Sequence, residues 1–183
     1  MRCFISINMP EEVKEEVVRI QRLIPDFHGK LTEKENLHLI LKFLGDMGAE
    51  KIKSVKDSLG KIKFSCISCE LDDLGVFSEK SIRIVWVEVK GMEGLQSEID
   101  RVLGEVFAPE IRFMGHLTIA RVKHVRDKDT FLSSIKRLNY ERMKFLIDAF
   151  SLVKSTRRPV VQHIKKLRII LCVSENMCVL ICP

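Results

Sequence analysis

The apolar residues of this chain recur with two periods, and the change from one period to the other marks the predicted elements. Alternation over 82–89 indicates a β-strand, whereas Val13, Val17 and Ile20 recur at helical spacing. In chain order, the same reasoning predicts a strand at 2–7, a helix ending near 23, a strand at 37–43, a helix through 52–59, strands at 62–70 and 82–89, a helix through 95–106, a strand at 115–122, a helix near 127–138, and strands at 144–153 and from about 163 to 170. This mixture predicts an α+β fold.

Two of the predicted strands begin with a histidine in the same apolar frame. Residues 115–121 read GHLTIAR and residues 36–42 read NLHLILK, which separates the two histidines by 78 positions, about half the chain. Alternate residues of a strand face the same side, so His116 shares a face with Thr118 and His38 shares one with Ile40. The repeat predicts two pseudo-symmetric halves that bring the two histidines together.

Length and composition fit one folding unit. The chain has 183 residues, of which 46% are hydrophobic and 31% charged, as in an ordinary globular protein. It contains no run approaching the ~20 apolar residues that span a bilayer. Its N-terminus lacks the apolar stretch of a signal peptide and is interpreted as the first strand, so a cytoplasmic location without membrane contact is expected.

Charge and cysteine content change the picture only modestly. A net charge of +6 is compatible with a polyanionic partner such as RNA. The six cysteines form no regular disulfide framework. Cys66 and Cys69 make one C-x-x-C pair, which is half a zinc site at most, and a strand would place the two sulfurs on opposite faces. Buried small hydrophobes are therefore the preferred interpretation, ahead of a metal or redox site.

The two histidines have a chemical use as a pair. A single histidine in an apolar strand is more often structural, but two imidazoles can serve as base and acid in one phosphodiester displacement. The Thr118 hydroxyl could donate to a phosphate oxygen. Lys42 falls on the His38 face by the period of two, and Arg121 ends the second strand, so either could neutralise phosphate charge. A solvated strand end is the equal alternative for both.

At these residues the chain resembles the RNA 2′,3′-cyclic phosphodiesterases, also called 2′-5′ RNA ligases, of the two-histidine phosphoesterases. The similarity covers about residues 1–156 and rests on these segments in order: 1–7 MRCFISI, 35–45 ENLHLILKFLG, 75–77 GVF, 85–87 VWV, 116–122 HLTIARV and 152–156 LVKST. It implies a bilobed fold, in which two antiparallel sheets related by a pseudo-two-fold axis flank a central cleft with helices outside. It also implies hydrolysis of cyclic phosphate ends to 2′-phosphates without metal or other cofactor, with reversible 2′-5′ ligation in some members.

Carried over by position, the resemblance makes His116 the proton acceptor that activates water and His38 the proton donor to the departing oxygen, roles that exchange in the reverse direction. Thr118 would hold the phosphate, and Lys42 and Arg121 would occupy substrate-binding positions. Ile40 departs from the family, which has Thr at this substrate-binding position. One lost phosphate hydrogen bond could cost about 1–3 kcal/mol, so activity should be impaired without necessarily being lost.

The resemblance also sets expectations for the whole chain. Residues 1–183 are predicted to form one two-lobed domain that acts on RNA ends as a monomer, and the apolar, cysteine-rich tail at 171–183 has no family counterpart. Two alternatives stay open at this point. The chain could be an RNA-end-binding module whose catalysis is weakened by Ile40, or it could act on a small cyclic nucleotide.

Overall fold

A computed structural model describes residues 2–63, 65–156 and 163–169; the predicted tail at 171–183 lies outside them. The strands are β1 Arg2–Asn8, β2 His28–Leu31, β3 His38–Asp46, β4 Ile67–Val76, β5 Ile84–Lys90, β6 His116–His124, β7 Lys144–Ile147, β8 Phe150–Thr156 and β9 His163–Ile169. The helices are α1 Glu11–Leu23, α2 Ala49–Leu59, α3 Glu93–Leu103 and α4 Lys128–Arg137, with a short 3₁₀ helix at Lys34–Asn36. The α+β prediction is confirmed.

The strands form two antiparallel sheets, each containing one histidine strand. We call the first, with strand order β3-β1-β8-β9, the His38 sheet, and the second, with order β2-β6-β5-β4-β7, the His116 sheet. In both sheets a helix connects two adjacent antiparallel strands, α1 together with β2 between β1 and β3, and α3 between β5 and β6. The predicted internal repeat is therefore present in the fold.

The repeat extends to individual positions of the two histidine strands. Along nine residues, β3 and β6 show the same succession of buried, half-buried and exposed side chains, starting from a half-buried histidine. Each strand also carries an irregularity at the same place, since its register shifts between the second and the fourth residue after the histidine. Equivalent positions of the two strands can therefore be compared directly.

One continuous core joins the two sheets. Ile5 and Ile7 of β1, and Val85 and Val87 of β5, are completely buried in the same cluster. Gln21 of α1 connects the two halves further, because its side-chain amide donates to the carbonyls of Thr32 and Ile119, both at 2.8 Å. A displacement of one half would therefore disturb the apolar core of the other.

The predicted strand at 144–153 is wrong in one respect. It is two strands in different sheets, because β7 pairs with β4 in the His116 sheet and β8 pairs with β1 in the His38 sheet. Phe145, Ile147 and Phe150 are all buried, so the apolar pattern runs across the break without a signal. The strand predicted at 62–70 begins only at Ile67. None of the helices in the described residues combines the length and apolar character needed to cross a bilayer.

Candidate active site

His38 and His116 are the first residues of β3 and β6, and the two strands pack against each other. The contact lies beside the histidines: a Cβ built on Gly115 would lie 3.4 Å from Leu39 Cδ1. In register, His38 stands opposite Asn8 and His116 opposite Glu88. The fold thus places the starts of the two histidine strands together.

Aromatic rings support the His38 imidazole. The Phe4 ring lies parallel to it, with centroids 5.5 Å apart and an interplanar angle of 18°. Phe43 contacts Phe4 in turn, at 6.2 Å between centroids, and its side chain is 63% exposed. Stacking restricts the imidazole to one plane, and the exposed Phe43 ring offers an apolar surface beside it.

The His116 imidazole has an equivalent aromatic support. The edge-on Phe77 ring lies 4.9 Å from it, and Trp86 contacts Phe77 at 5.7 Å. Gly75 makes room for the indole, because a Cβ there would lie 2.7 Å from Trp86 Cζ2. In the segment 75–77, Gly75 thus makes room for Trp86, whereas Phe77 packs against His116.

One backbone contact fixes which nitrogen of His116 carries the proton. His116 Nδ1 lies 2.9 Å from the carbonyl oxygen of Met114. A carbonyl only accepts hydrogen bonds, so Nδ1 donates and the neutral ring keeps its lone pair on Nε2. This tautomer suits a general base that acts through Nε2.

Thr118 and Ile40 occupy equivalent places in the two sheets. Both are half-buried, and each lies two residues after its histidine on the same strand. Opposite Thr118 stands Trp86, whereas Ser6 stands opposite Ile40 and is only 4% exposed. The histidine face of the His116 sheet thus has a half-buried hydroxyl where the His38 sheet has an alkyl group.

The prediction that Lys42 lies on the His38 face is wrong. Between the Ile40 and Lys42 pairings the register of β3 shifts by one residue, so Lys42 stands opposite the fully buried Ile5. Its side chain is 2% exposed, and Nζ donates to Asp100 at 2.5 Å and to the Ala108 carbonyl at 2.7 Å. Lys42 is therefore a buried ion-pair partner, and neither a phosphate ligand nor a solvated strand end.

The equivalent register shift in β6 supports the prediction that Arg121 binds substrate, because it places Arg121 on the histidine face of its strand. The register shift between Val85 and Trp86 returns Arg121 to the face of Thr118, opposite Ile84, and its side chain is exposed. Phe43 holds the equivalent position of β3. Sequence reasoning missed Phe43. The available signal was in β6, where the consecutive apolar residues Ile119 and Ala120 indicate a bulge; the same bulge in β3 would place Phe43 on the His38 face.

Two groups could be considered for a metal. Ligand atoms of Asp72, Asp73 and Glu88 lie within 4.8 Å of one another, but Lys90 and Arg142 both form ion pairs with the Asp72 carboxylate. These cations already balance the buried carboxylate.

The C-x-x-C pair gives a different result. Cys69 is a buried thiol, and burial raises its pKa to about 12. Such a thiol stays protonated at neutral pH, so Cys69 is a poor nucleophile and a poor metal ligand in this state. The interpretation of Cys69 as a buried small hydrophobe agrees with its 2% exposure.

Known proteins are similar to this chain in sequence and in fold. The family described as LigT-like phosphoesterase matches residues 7–86. The RNA 2′,3′-cyclic phosphodiesterase of Methanocaldococcus jannaschii is 32% identical over 164 residues, covering 87% of this chain and 94% of the relative. The Thermotoga maritima protein of the same name is 31% identical over 168 residues, covering 87% and 89%.

Solved structures agree on the fold. The crystal structure of Escherichia coli LigT in complex with 3′-AMP superimposes with a TM-score of 0.73 at 22% identity, covering 94% of this chain and 98% of LigT. The resemblance inferred from the histidine frames is therefore confirmed over most of the chain. The chain belongs to the RNA 2′,3′-cyclic phosphodiesterase family of LigT-like phosphoesterases.

Proposed function

We propose that this protein is a hydrolase that opens 2′,3′-cyclic phosphates at RNA ends to 2′-phosphates, with His38 and His116 as its acid-base pair. The observation that carries the proposal is that the two histidines begin two equivalent strands whose burial patterns match residue by residue and whose starts lie together. The names of the relatives from M. jannaschii and T. maritima support the substrate class.

The proposed reaction balances with these two side chains alone. His116 Nε2 takes a proton from water as its oxygen attacks the phosphorus, while His38 gives a proton to the departing 3′ oxygen. The P–O3′ bond breaks, and the products are a 2′-phosphate and a 3′-hydroxyl. Proton transfers of this kind contribute about 10²- to 10⁴-fold each.

The acceptor role of His116 in this pair follows from its tautomer. Because Met114 holds Nδ1–H, Nε2 of the neutral His116 is free to accept a proton. A 5′-hydroxyl in place of water would give a 2′-5′ linkage by the same proton transfers, and we expect this ligation as a side reaction.

Thr118 holds the phosphate in this proposal, and Ile40 leaves the opposite side without a donor. The proposal of weak catalysis rests on this asymmetry, because Ile40 stands at the position equivalent to Thr118. An RNA-end-binding protein with little turnover is the second candidate, and it is distinguished by the activity of the native chain.

The surface around the histidines supports RNA as the substrate class. Arg121 is exposed at the end of the His116 face. Phe77, which contacts His116, is 53% exposed, and Phe43, which contacts the Phe4 ring stacked on His38, is 63% exposed. Exposed aromatic rings stack with bases regardless of sequence, and arginine attracts phosphates. The cytoplasmic location and monomeric state expected from the sequence are compatible with this substrate and stay predictions.

The test is hydrolysis of an RNA oligonucleotide ending in a 2′,3′-cyclic phosphate, with chelator present. We expect turnover by the native chain and a loss of at least about 100-fold in His38→Ala and in His116→Ala. His124→Ala is the matched control, since His124 is an exposed histidine at the other end of β6. Equal rates for all four proteins would reject the proposal.

A further inference from the structure

A buried ion pair outside the proposed chemistry connects the His38 strand β3 to α3. Lys42 Nζ, which β3 brings into the interior, reaches Asp100 of α3 at 2.5 Å. The side chains of Lys42 and Asp100 are 2% and 10% exposed. Burying two charges carries a desolvation cost that well-packed apolar side chains would avoid, so stability alone is a weak reason for this pair.

Asp100 serves as the centre of a larger network. Its second oxygen accepts from the Gln96 side chain at 2.7 Å and from the backbone N–H of Glu110 at 2.8 Å. Lys42 contacts the same stretch of chain, since Nζ also donates to the carbonyl of Ala108 at 2.7 Å. The pair thus holds two backbone groups that lie two residues apart.

Those backbone groups belong to residues 104–115, which connect α3 to β6 without a regular helix or strand. The same segment ends at Met114, whose carbonyl accepts from His116 Nδ1, and at Gly115, whose carbonyl accepts from the Val89 amide at 2.8 Å. An irregular connection with few backbone bonds of its own depends on side chains for its position.

We propose that Lys42 and Asp100 are positioning residues for the acid-base pair. Lys42 lies four residues after His38 on the same strand, and the segment that it holds ends at the carbonyl that orients His116. The network thereby fixes the second histidine relative to the first. This inference rests on the proposed function for its effect on rate, but its effect on the His116 ring is independent of turnover.

The charge state of the network suits this role. Burial raises the pKa of Asp100, but hydrogen bonds from Lys42, the Glu110 amide and Gln96 outweigh it and hold the pKa below its ordinary value. Asp100 therefore stays ionised at neutral pH, when its carboxylate accepts the three hydrogen bonds from Lys42, Gln96 and the Glu110 amide without competing as a donor. The support of segment 104–115 is then constant across the range in which histidine titrates.

The test compares the native chain with the double variant Lys42→Met/Asp100→Leu, which removes both charges and keeps apolar volume. We expect a folded protein with kcat reduced about 10- to 100-fold and KM nearly unchanged, because misplacement of a catalytic group by about 1 Å can cost 10²-fold. Long-range ¹⁵N–¹H NMR of the imidazoles should show a smaller fraction of the Nδ1–H tautomer at His116. Lys136→Met is the control, since its ion pair with Glu79 is exposed.

Each result decides the inference. A folded double variant with native kcat and a native His116 tautomer would overturn it, whereas a fall in both supports it. If the native chain shows no turnover, the proposed function fails, and the NMR measurement alone decides the positioning role. Asp100→Asn, which preserves size, replaces the double variant if that protein does not fold, and the same two readouts apply.

Discussion

At the scale of single residues, the two histidine frames differ in hydrogen-bonding capacity at Ile40. The side chain stands where Thr118 stands in the other strand, yet it offers no hydrogen-bond donor. Because Ile40 is only half-buried, a side chain that carries a hydroxyl can take its place. Ile40 and Thr118 therefore differ in the functional group of the side chain and not in their position along the strand.

Ile40→Thr should raise the rate of cyclic phosphate hydrolysis. One added hydrogen bond to a charged phosphate is worth about 1–3 kcal/mol, so we expect kcat/KM to increase roughly 5- to 150-fold. Single-turnover kinetics on the oligonucleotide substrate measures it. Ile40→Val is the matched control, because valine has the shape of threonine without its hydroxyl. Equal rates for the two variants would show that Ile40 does not face the phosphate.

Residue identity was the part of the site most accessible from sequence. His38, His116 and Thr118 could be chosen because the two frames repeat. The structure places the two histidines at equivalent positions, and Thr118 at the position equivalent to Ile40. Lys42 was assigned to the wrong face, because the rule of alternation fails at a bulge and one extra residue exchanges the two faces. The aromatic supports Phe4 and Phe77 lie in segments that carry the family resemblance, but the two histidine frames alone do not indicate that they pack against the imidazoles.

At the scale of elements, the position of β6 depends on a close approach at Gly115. A Cβ on this residue would lie 2.3 Å from the carbonyl oxygen of Val89, on the neighbouring strand β5. The obstacle is backbone, which yields less easily than a flexible side chain. The glycine therefore allows β6 to begin directly beside β5, with Gly115 itself next to Leu39.

Gly115→Ala should destabilise the fold and reduce activity together. Overpacking against a backbone group costs about 1–3 kcal/mol, so the urea midpoint should fall and His116 should move with its strand. Gly94→Ala is the matched control: Gly94 lies in α3 with no atom within 4 Å of its Cβ position, and alanine there should stabilise the helix by about 0.5–1 kcal/mol. A Gly115→Ala protein with the native midpoint would contradict the steric argument.

Element types followed from periodicity, whereas sheet membership did not. The helices α1 and α2 end at Leu23 and Leu59, as predicted, because apolar stripes and the chain-breaking residues after them are local signals. The change of sheet between β7 and β8 has no such signal, since buried residues continue on both sides of it. Strand pairing is decided by contacts distant in sequence, which a single sequence does not display.

At the scale of the whole molecule, the Lys42–Asp100 pair predicts a specific loss of stability in acid. The folded pKa of Asp100 lies below its ordinary value, so the ionised form favours folding. This contribution is fully present above the unfolded pKa of about 3.9 and is lost as pH falls through the lower folded pKa. The free-energy difference between native protein and Asp100→Asn should be constant from pH 7 to about pH 5 and then shrink. Urea unfolding at each pH measures it, and a difference independent of pH would contradict the assignment.

The net charge of +6 gives a way to separate RNA ends from small cyclic nucleotides as substrates. An oligonucleotide whose further phosphates are neutralised by Arg121 and other basic side chains releases counterions on binding, with a slope of about −0.7 per neutralised phosphate of a single strand. A mononucleotide has only the reacting phosphate. We therefore expect KM for a cyclic-phosphate oligonucleotide to rise steeply between roughly 50 and 200 mM salt, because phosphate contacts weaken over this range. KM for the mononucleotide should change little. Arg121→Gln should reduce the oligonucleotide slope, and Arg137→Gln on α4 is the control for the loss of one positive charge. Equal salt dependence for both substrates would favour a small cyclic phosphate, because the contacts would then end at the two histidines and Thr118.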